Sequence, residues 1–111
     1  MGLVTVTKQF TVPAGSTTTG TIYTVTAGKQ FKLDRVEIWF PPGSESELRV
    51  MILHGVSRVV PEEGYVVGDG ETFTFKTNVV YGSQEEVKTL LMNTSSTTSH
   101  DVQITIEGVE E

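Results

Sequence analysis

The chain of 111 residues carries 14 acidic and 8 basic side chains, a formal net charge of −6, and has no cysteine. That length matches one domain, residues 1–111, and is enough to bury a core without covalent staples. Disulfides, thiolate metal sites and cysteine nucleophiles are excluded, and the acidic balance argues against a general nucleic-acid binder.

The residue mix points to strands. Thr occurs 17 times and Val 16 times, against two Ala. β-Branched side chains are stiff at χ1 and fit a pleated sheet, whereas helices favour Ala and unbranched chains. No apolar run approaches the ~20 residues of a membrane-spanning helix. Met1 to Gln9 lacks the apolar core of a signal peptide, so the expectation is no membrane and no secretion. Residues 1 to 33 hold Lys8, Lys29 and Lys32 and no acid, so the charge is uneven. Two readings are open: a basic face that docks on an acidic neighbour, or three solvated lysines.

Val4, Val6, Phe10 and Val12 share one parity, while Thr5, Thr7, Gln9 and Thr11 share the other, the period-two pattern of a half-buried strand. Pro13-Ala14-Gly15 ends it, and the polar stretch Ser16 to Gly20 reads as a loop. A second strand spans Thr21 to Thr26 and stops at Ala27-Gly28. Phe10 to Ser16 and Tyr23 to Lys29 echo each other, each a strand running into a tight glycine turn. Phe31 and Leu33 sit on one parity, and Val36, Ile38 and Phe40 on the other. A β-bulge at Asp34-Arg35 would put both sets on the core face. Pro41-Pro42-Gly43-Ser44 breaks this strand. Leu48 to His54 is apolar on both faces apart from Arg49 and His54, which predicts a central strand. Short strands follow at Arg58 to Val60 and Tyr65 to Val67. Thr72 to Lys76 alternates with Phe73 and Phe75 inward, and Asn78 to Tyr81 extends the sheet or connects onward.

Ser83 to Met92 is ambiguous. Ser83 and Glu86 fit a capping box, and Val87, Leu90 and Leu91 have helical spacing; the alternative is a loop followed by a strand from Val87 to Thr94. Val102, Ile104 and Ile106 alternate cleanly, so the last two segments read as a closing hairpin around the polar loop Ser95 to His100, with Gly108 to Glu111 as a frayed tail. The sum is about eight strands without a βαβ rhythm, an all-β antiparallel β-sandwich of jelly-roll or Greek-key type.

No catalytic or metal site emerges, and no cofactor is expected. His54 and His100 stand alone, outside the close His pairing that a strand-borne metal site needs. His54 reads as a strand-end residue with a hydrogen-bond partner, and His100 as a solvated loop residue. Gly-x-Ser-x-Gly does not occur. The acidic pairs Glu45/Glu47, Glu62-Glu63, Glu85-Glu86 and Glu110-Glu111 read as solvated turns, and Gly68-Asp69-Gly70-Glu71 as a hairpin turn in preference to a calcium loop. Trp39 opposes Ile38 and Phe40 in parity, which places it on an outer face, exposed as an aromatic platform or covered by a loop. Asn93-Thr94-Ser95 matches a glycosylation sequon, to which no function is attached in the absence of a signal peptide.

Phe10 to Gly15, Tyr23 to Leu33, Leu90-Leu91-Met92-Asn93-Thr94 and Asp101 to Gly108 resemble the strand-turn openings and the closing hairpin of small jelly-roll phage head decoration and accessory virion proteins. The resemblance is one of style over most of the chain and transfers no functional residue. It implies a non-enzymatic structural role in a virion assembled in the host cytoplasm. The implied partners are a major capsid protein or other virion subunits, often with a homo-oligomer, a trimer being favoured. On that reading the expected partner surface is Trp39, Phe40, Pro41 and Pro42 with Val4 and Val6 of the first strand. The alternative is a carbohydrate- or receptor-binding module with Trp39 as its platform.

Overall fold

The alternation of β-branched and polar residues folds into eight strands, in a computed structural model that describes residues 2–111. They are β1 (Gly2–Val12), β2 (Thr17–Thr24), β3 (Phe31–Phe40), β4 (Leu48–His54), β5 (Ser57–Val60), β6 (Glu71–Tyr81), β7 (Glu86–Asn93) and β8 (His100–Glu110). One sheet has the order β1-β8-β3-β6 and the other β2-β7-β4-β5. Every pairing is antiparallel. Consecutive strands mostly change sheet, and only β4 and β5 form a local hairpin. That wiring is a jelly roll, the eight-stranded double Greek key.

The core is one cluster between the sheets. Phe31, Leu33, Val36, Ile38 and Phe40 of β3 face Leu48, Val50 and Ile52 of β4, with Val102, Ile104 and Ile106 of β8 beside them, all fully buried. Each such side chain contributes about 1.5–3 kcal/mol of transfer free energy. The expected bulge is present: β3 shifts register between Leu33 and Arg35 against both β6 and β8. One extra residue thus turns two opposed parities into a single inward face. The echoed glycines, Gly15 and Gly28, have φ of 69° and 82°, so both strand ends turn through the left-handed region.

Several expectations need correction. Ser16 to Gly20 is not a loop: β2 begins at Thr17, where Thr17, Thr18, Thr19 and Gly20 pair with Met92, Leu91, Leu90 and Thr89. Threonine is polar in sequence but a strand former once a partner strand lies alongside. β2 ends at Thr24, two residues early, after a bulge between Thr21 and Tyr23. Ser83 to Met92 is loop then strand, and Asn78 to Tyr81 continues β6. Tyr65 to Val67 shrinks to one bridge, Val50 to Val66. The last two strands are not a hairpin, because β7 pairs with β2 and β4 whereas β8 pairs with β1 and β3. Alternation reveals which face is buried, not which strand is the neighbour, and two strands facing each other across a core carry the same pattern as two side by side. Nor is the tail frayed: Gly108, Val109 and Glu110 are paired on both flanks.

Candidate interaction surfaces

The turns gather at two poles of the sandwich, each held by a polar clasp. At one pole Asn93, only 4% exposed, donates from Nδ2 to the carbonyls of Val12 (3.0 Å) and Thr98 (2.9 Å), while its Oδ1 accepts from the Ser95 amide (3.0 Å). His100 is buried here too, its Nε2 2.8 Å from Glu47 Oε1, which corrects the expectation of a solvated loop histidine. The register puts His100 opposite Val12, as the first residue of β8 and not the last of a loop. Pro41 belongs to this pole. Its carbonyl accepts from Ser44 Oγ (2.8 Å) and from the Gly70 amide (3.3 Å), and Asp69 Oδ1 accepts from the Gly43 amide (2.7 Å). Asp69 thus braces the turn that follows β3; its own segment joins β5 to β6 across the two sheets, so it is a turn but not the hairpin turn expected of it.

At the other pole the Glu110 carboxylate accepts from the Thr26 amide (2.9 Å) and the Tyr23 phenol. The bonds from Thr26 and Tyr23 hold its carboxyl below the usual range, and the same bond pushes the Tyr23 phenol up. Glu85 is also lowered, by the Gly82 amide and by His54, whose Nε2 lies 3.1 Å away. His54 therefore has the strand-end partner expected of it. Tyr81 lies against the His54 ring at 4.3 Å and donates to the Leu53 carbonyl at 2.9 Å; burial pushes its phenol up strongly.

These shifts set a pH dependence. Both carboxyls ionise more readily in the folded chain than in the unfolded one. Their stabilisation is present above the unfolded carboxylate value of about 4.3 and is lost as pH falls through the lower folded values. The Glu85→Gln/Glu110→Gln variant should therefore melt below the wild type at neutral pH, with the gap closing on acidification. A gap independent of pH in thermal melts would refute the assignment.

Neither pole contains convergent chemistry. Among the described residues no three His, Asp or Glu side chains come together as a metal site, and both histidines bond to glutamates, not to a serine hydroxyl. A depression of about 370 Å³ lined by His54, Val56, Glu85 and Lys88 lies open to solvent.

The two outer faces differ. On the β1-β8-β3-β6 sheet, Trp39 is 39% exposed and stands in one cross-strand row with Gln9, Gln103 and Thr72. The next row is Thr7, Thr105, Glu37 and Thr74, in which the Thr7 and Thr105 hydroxyls bond at 2.8 Å. Trp39 is thus an exposed indole amid amides and hydroxyls, and Pro41 and Pro42 continue its strand at the rim. The other residues expected with it lie elsewhere. Phe40 is fully buried, edge-on to Phe73 at 6.0 Å, so it is core and not surface. Val4 and Val6 point to the inner side of β1, half-buried against the core, with β8 between their strand and that of Trp39.

The outer face of the β2-β7-β4-β5 sheet brings together residues that are far apart in the sequence. Met51 pairs with Leu90 and Arg49 with Met92, while Leu53 flanks Lys88, so an apolar patch lies on the side away from the core. Tyr65 and Val67, 40% and 36% exposed, flank it, and the Arg49 guanidinium stacks on the Tyr65 ring at 5.2 Å. The signal is the apolar pattern on both faces of Leu48 to His54, which in sequence alone predicts no more than a central strand.

No protein-family model and no curated protein matches the chain. Solved structures do. A chain of the acidic stable capsid of Helicobacter pylori bacteriophage KHP30 superposes with a TM-score of 0.62 at 12% identity, covering 98% of this chain and 92% of that one. A chain of the capsid asymmetric unit of cyanophage Pam1 superposes with a TM-score of 0.55 at 8% identity, covering 96% and 83%. At such identities the likeness is one of fold. The chain is an eight-stranded jelly-roll sandwich, an architecture it shares with components of phage capsids.

Proposed function

We propose that this protein is a non-catalytic structural component of a viral particle, decorating or stabilising the capsid through protein–protein contacts. The observation that carries the reading is the nearly end-to-end match with a chain of the KHP30 capsid, 98% of one and 92% of the other, so that the compared unit is a whole small chain and not a fragment of a larger fold. The outer faces of its two sheets give it surface for such contacts. On this reading the partner is the major capsid protein or another virion subunit, the location is the virion, and copies gather as a symmetric oligomer, a trimer being the favoured state. Trp39 with Pro41 and Pro42 offers one contact region. Mass spectrometry of gradient-purified particles from the source that encodes the chain should find it in many copies per particle. Its absence from such particles would overturn the proposal.

A second reading, carbohydrate or receptor binding, draws on Trp39 alone, since an exposed indole flanked by Gln9, Gln103 and Thr72 can stack on a sugar ring. Titration of Trp39 fluorescence with oligosaccharides separates the two.

A further inference from the structure

We infer that the outer face of the β2-β7-β4-β5 sheet is the docking surface for an acidic patch on the capsid shell; this rests on the reading of the chain as a virion component, which supplies the occupant. An antiparallel sheet with one face on a core normally presents polar side chains on the other. Here Leu53, Leu90 and Met92, each half-buried, stand on that other face around Met51, which is only 7% exposed, beside the exposed Arg49 and Tyr65. Protein interfaces are enriched in Met, Tyr and Arg, and their strongest contacts centre on Tyr, Trp and Arg.

Charge selects the occupant. The four strands of this sheet hold Arg49, Arg58 and Lys88 against Glu86 alone, a balance of 3 − 1 = +2. The four strands of the other sheet hold Lys8, Lys32, Arg35 and Lys76 against six acids, a balance of 4 − 6 = −2. The remaining segments carry Lys29 and seven acids, 1 − 7 = −6, which completes the net −6 of the chain. The strands of this sheet are therefore the basic part of an otherwise acidic molecule, and with Lys88 lying 3.6 Å from Glu86 it is Arg49 and Arg58 that set the sign of the face. A second copy laid on it face to face would oppose three bases with three bases. The face is also too small for that: four strands about 4.8 Å apart and seven residues of about 3.3 Å give roughly 440 Å², about half of what a stable pair buries per partner. A nucleic acid would meet three bases around an apolar centre, a weak electrostatic footprint. An acidic protein surface fits both the charge and the apolar centre, and many weak copies bound to one shell reach avidity that a single contact lacks.

The test is co-sedimentation of the purified chain with particles stripped of it. Wild type should bind, and binding should weaken as salt rises. Arg49→Glu/Arg58→Glu should lose about tenfold or more in apparent affinity, the cost of roughly 1.4 kcal/mol or more. Leu90→Ser should bind more weakly without altering the salt dependence. Both arginines are exposed, and thermal melts confirm that each variant is folded. Undiminished binding by the folded charge-reversal and Leu90 variants overturns the inference and leaves the virion reading standing. A wild type that fails to bind overturns both. Light scattering that shows a dimer abolished by Leu90→Ser would also overturn it, by making the occupant a second copy.

Discussion

Gly108→Val is expected to leave the chain unable to fold, and Gly108→Ala to cost about 3 kcal/mol, at the upper end of overpacking. Gly108 sits inside β8, paired with Val4 on one side and Leu33 on the other. A Cβ there would run into the Lys32 carbonyl oxygen and lie 2.7 Å from the Phe31 ring. The carbonyl is backbone and has no rotamer to escape into. The close approach arises next to the β3 bulge, where the register shifts just after Leu33. Bulge and glycine are matched: the extra residue pushes the β3 backbone towards β8, and the missing side chain receives it. Urea unfolding followed by circular dichroism measures the loss, and a Gly108→Ala midpoint equal to wild type would refute the clash. For contrast, Gly20→Ala meets only the Phe10 ring, which can turn aside, and should cost less.

Asn93→Asp is the second large effect. The amide spends both Nδ2 hydrogens on the carbonyls of Val12 and Thr98 and its oxygen on the Ser95 amide, within a buried site. A carboxylate there turns two donors into acceptors that face carbonyls, and it buries a charge that no cation neutralises. The expected loss is about 3 kcal/mol or more, compared with a few tenths for a solvated neighbour such as Thr97→Ala. Asn93→Ala should fall between the two. A midpoint change below about 1 kcal/mol for Asn93→Asp would mean that the clasp does not hold the pole. The same bonds bear on the sequon Asn93-Thr94-Ser95: its amide is already spent inside the folded chain.

Which elements could be read from the sequence follows from what a one-dimensional pattern carries. Period-two alternation marks Val102, Ile104 and Ile106 as inward, and the parity switch at Asp34-Arg35 marks the bulge. The full run of Leu48 to His54 is β4 to the residue. The failures are of another kind. Thr17 to Gly20 looked like a loop because its pairing partner, β7, lies about 70 residues further along the chain. Gly108 to Glu111 looked frayed because a glycine and two acids are weak strand formers in isolation, yet β1 and β3 hold both flanks. Trp39 lies on the outer face, as its parity predicts, whereas Phe40, its neighbour in the chain, faces the opposite way into the core. The Met51–Leu90 patch needed the register of two strands, so each half was visible and their meeting was not.

The outermost pairing of the polar-faced sheet bears on how the molecule assembles itself. Gly2 lies opposite Glu110, so β1 and β8 close a loop that spans almost the entire chain. Such closure withholds its reward until nearly everything between has been ordered, and all-β folds dominated by pairings of this kind fold in milliseconds to seconds, slowly for their size. During that interval β3 has only β6 for a neighbour, and the edge that β8 will cover stands open to other chains. The strand with the longest-range pairings, β8, is therefore also the one that covers the inner edge of β3 against other chains. Joining Glu110 to Gly2 by a short linker and reopening the chain at the exposed Gly55-Val56 turn would make the slowest contact a local one.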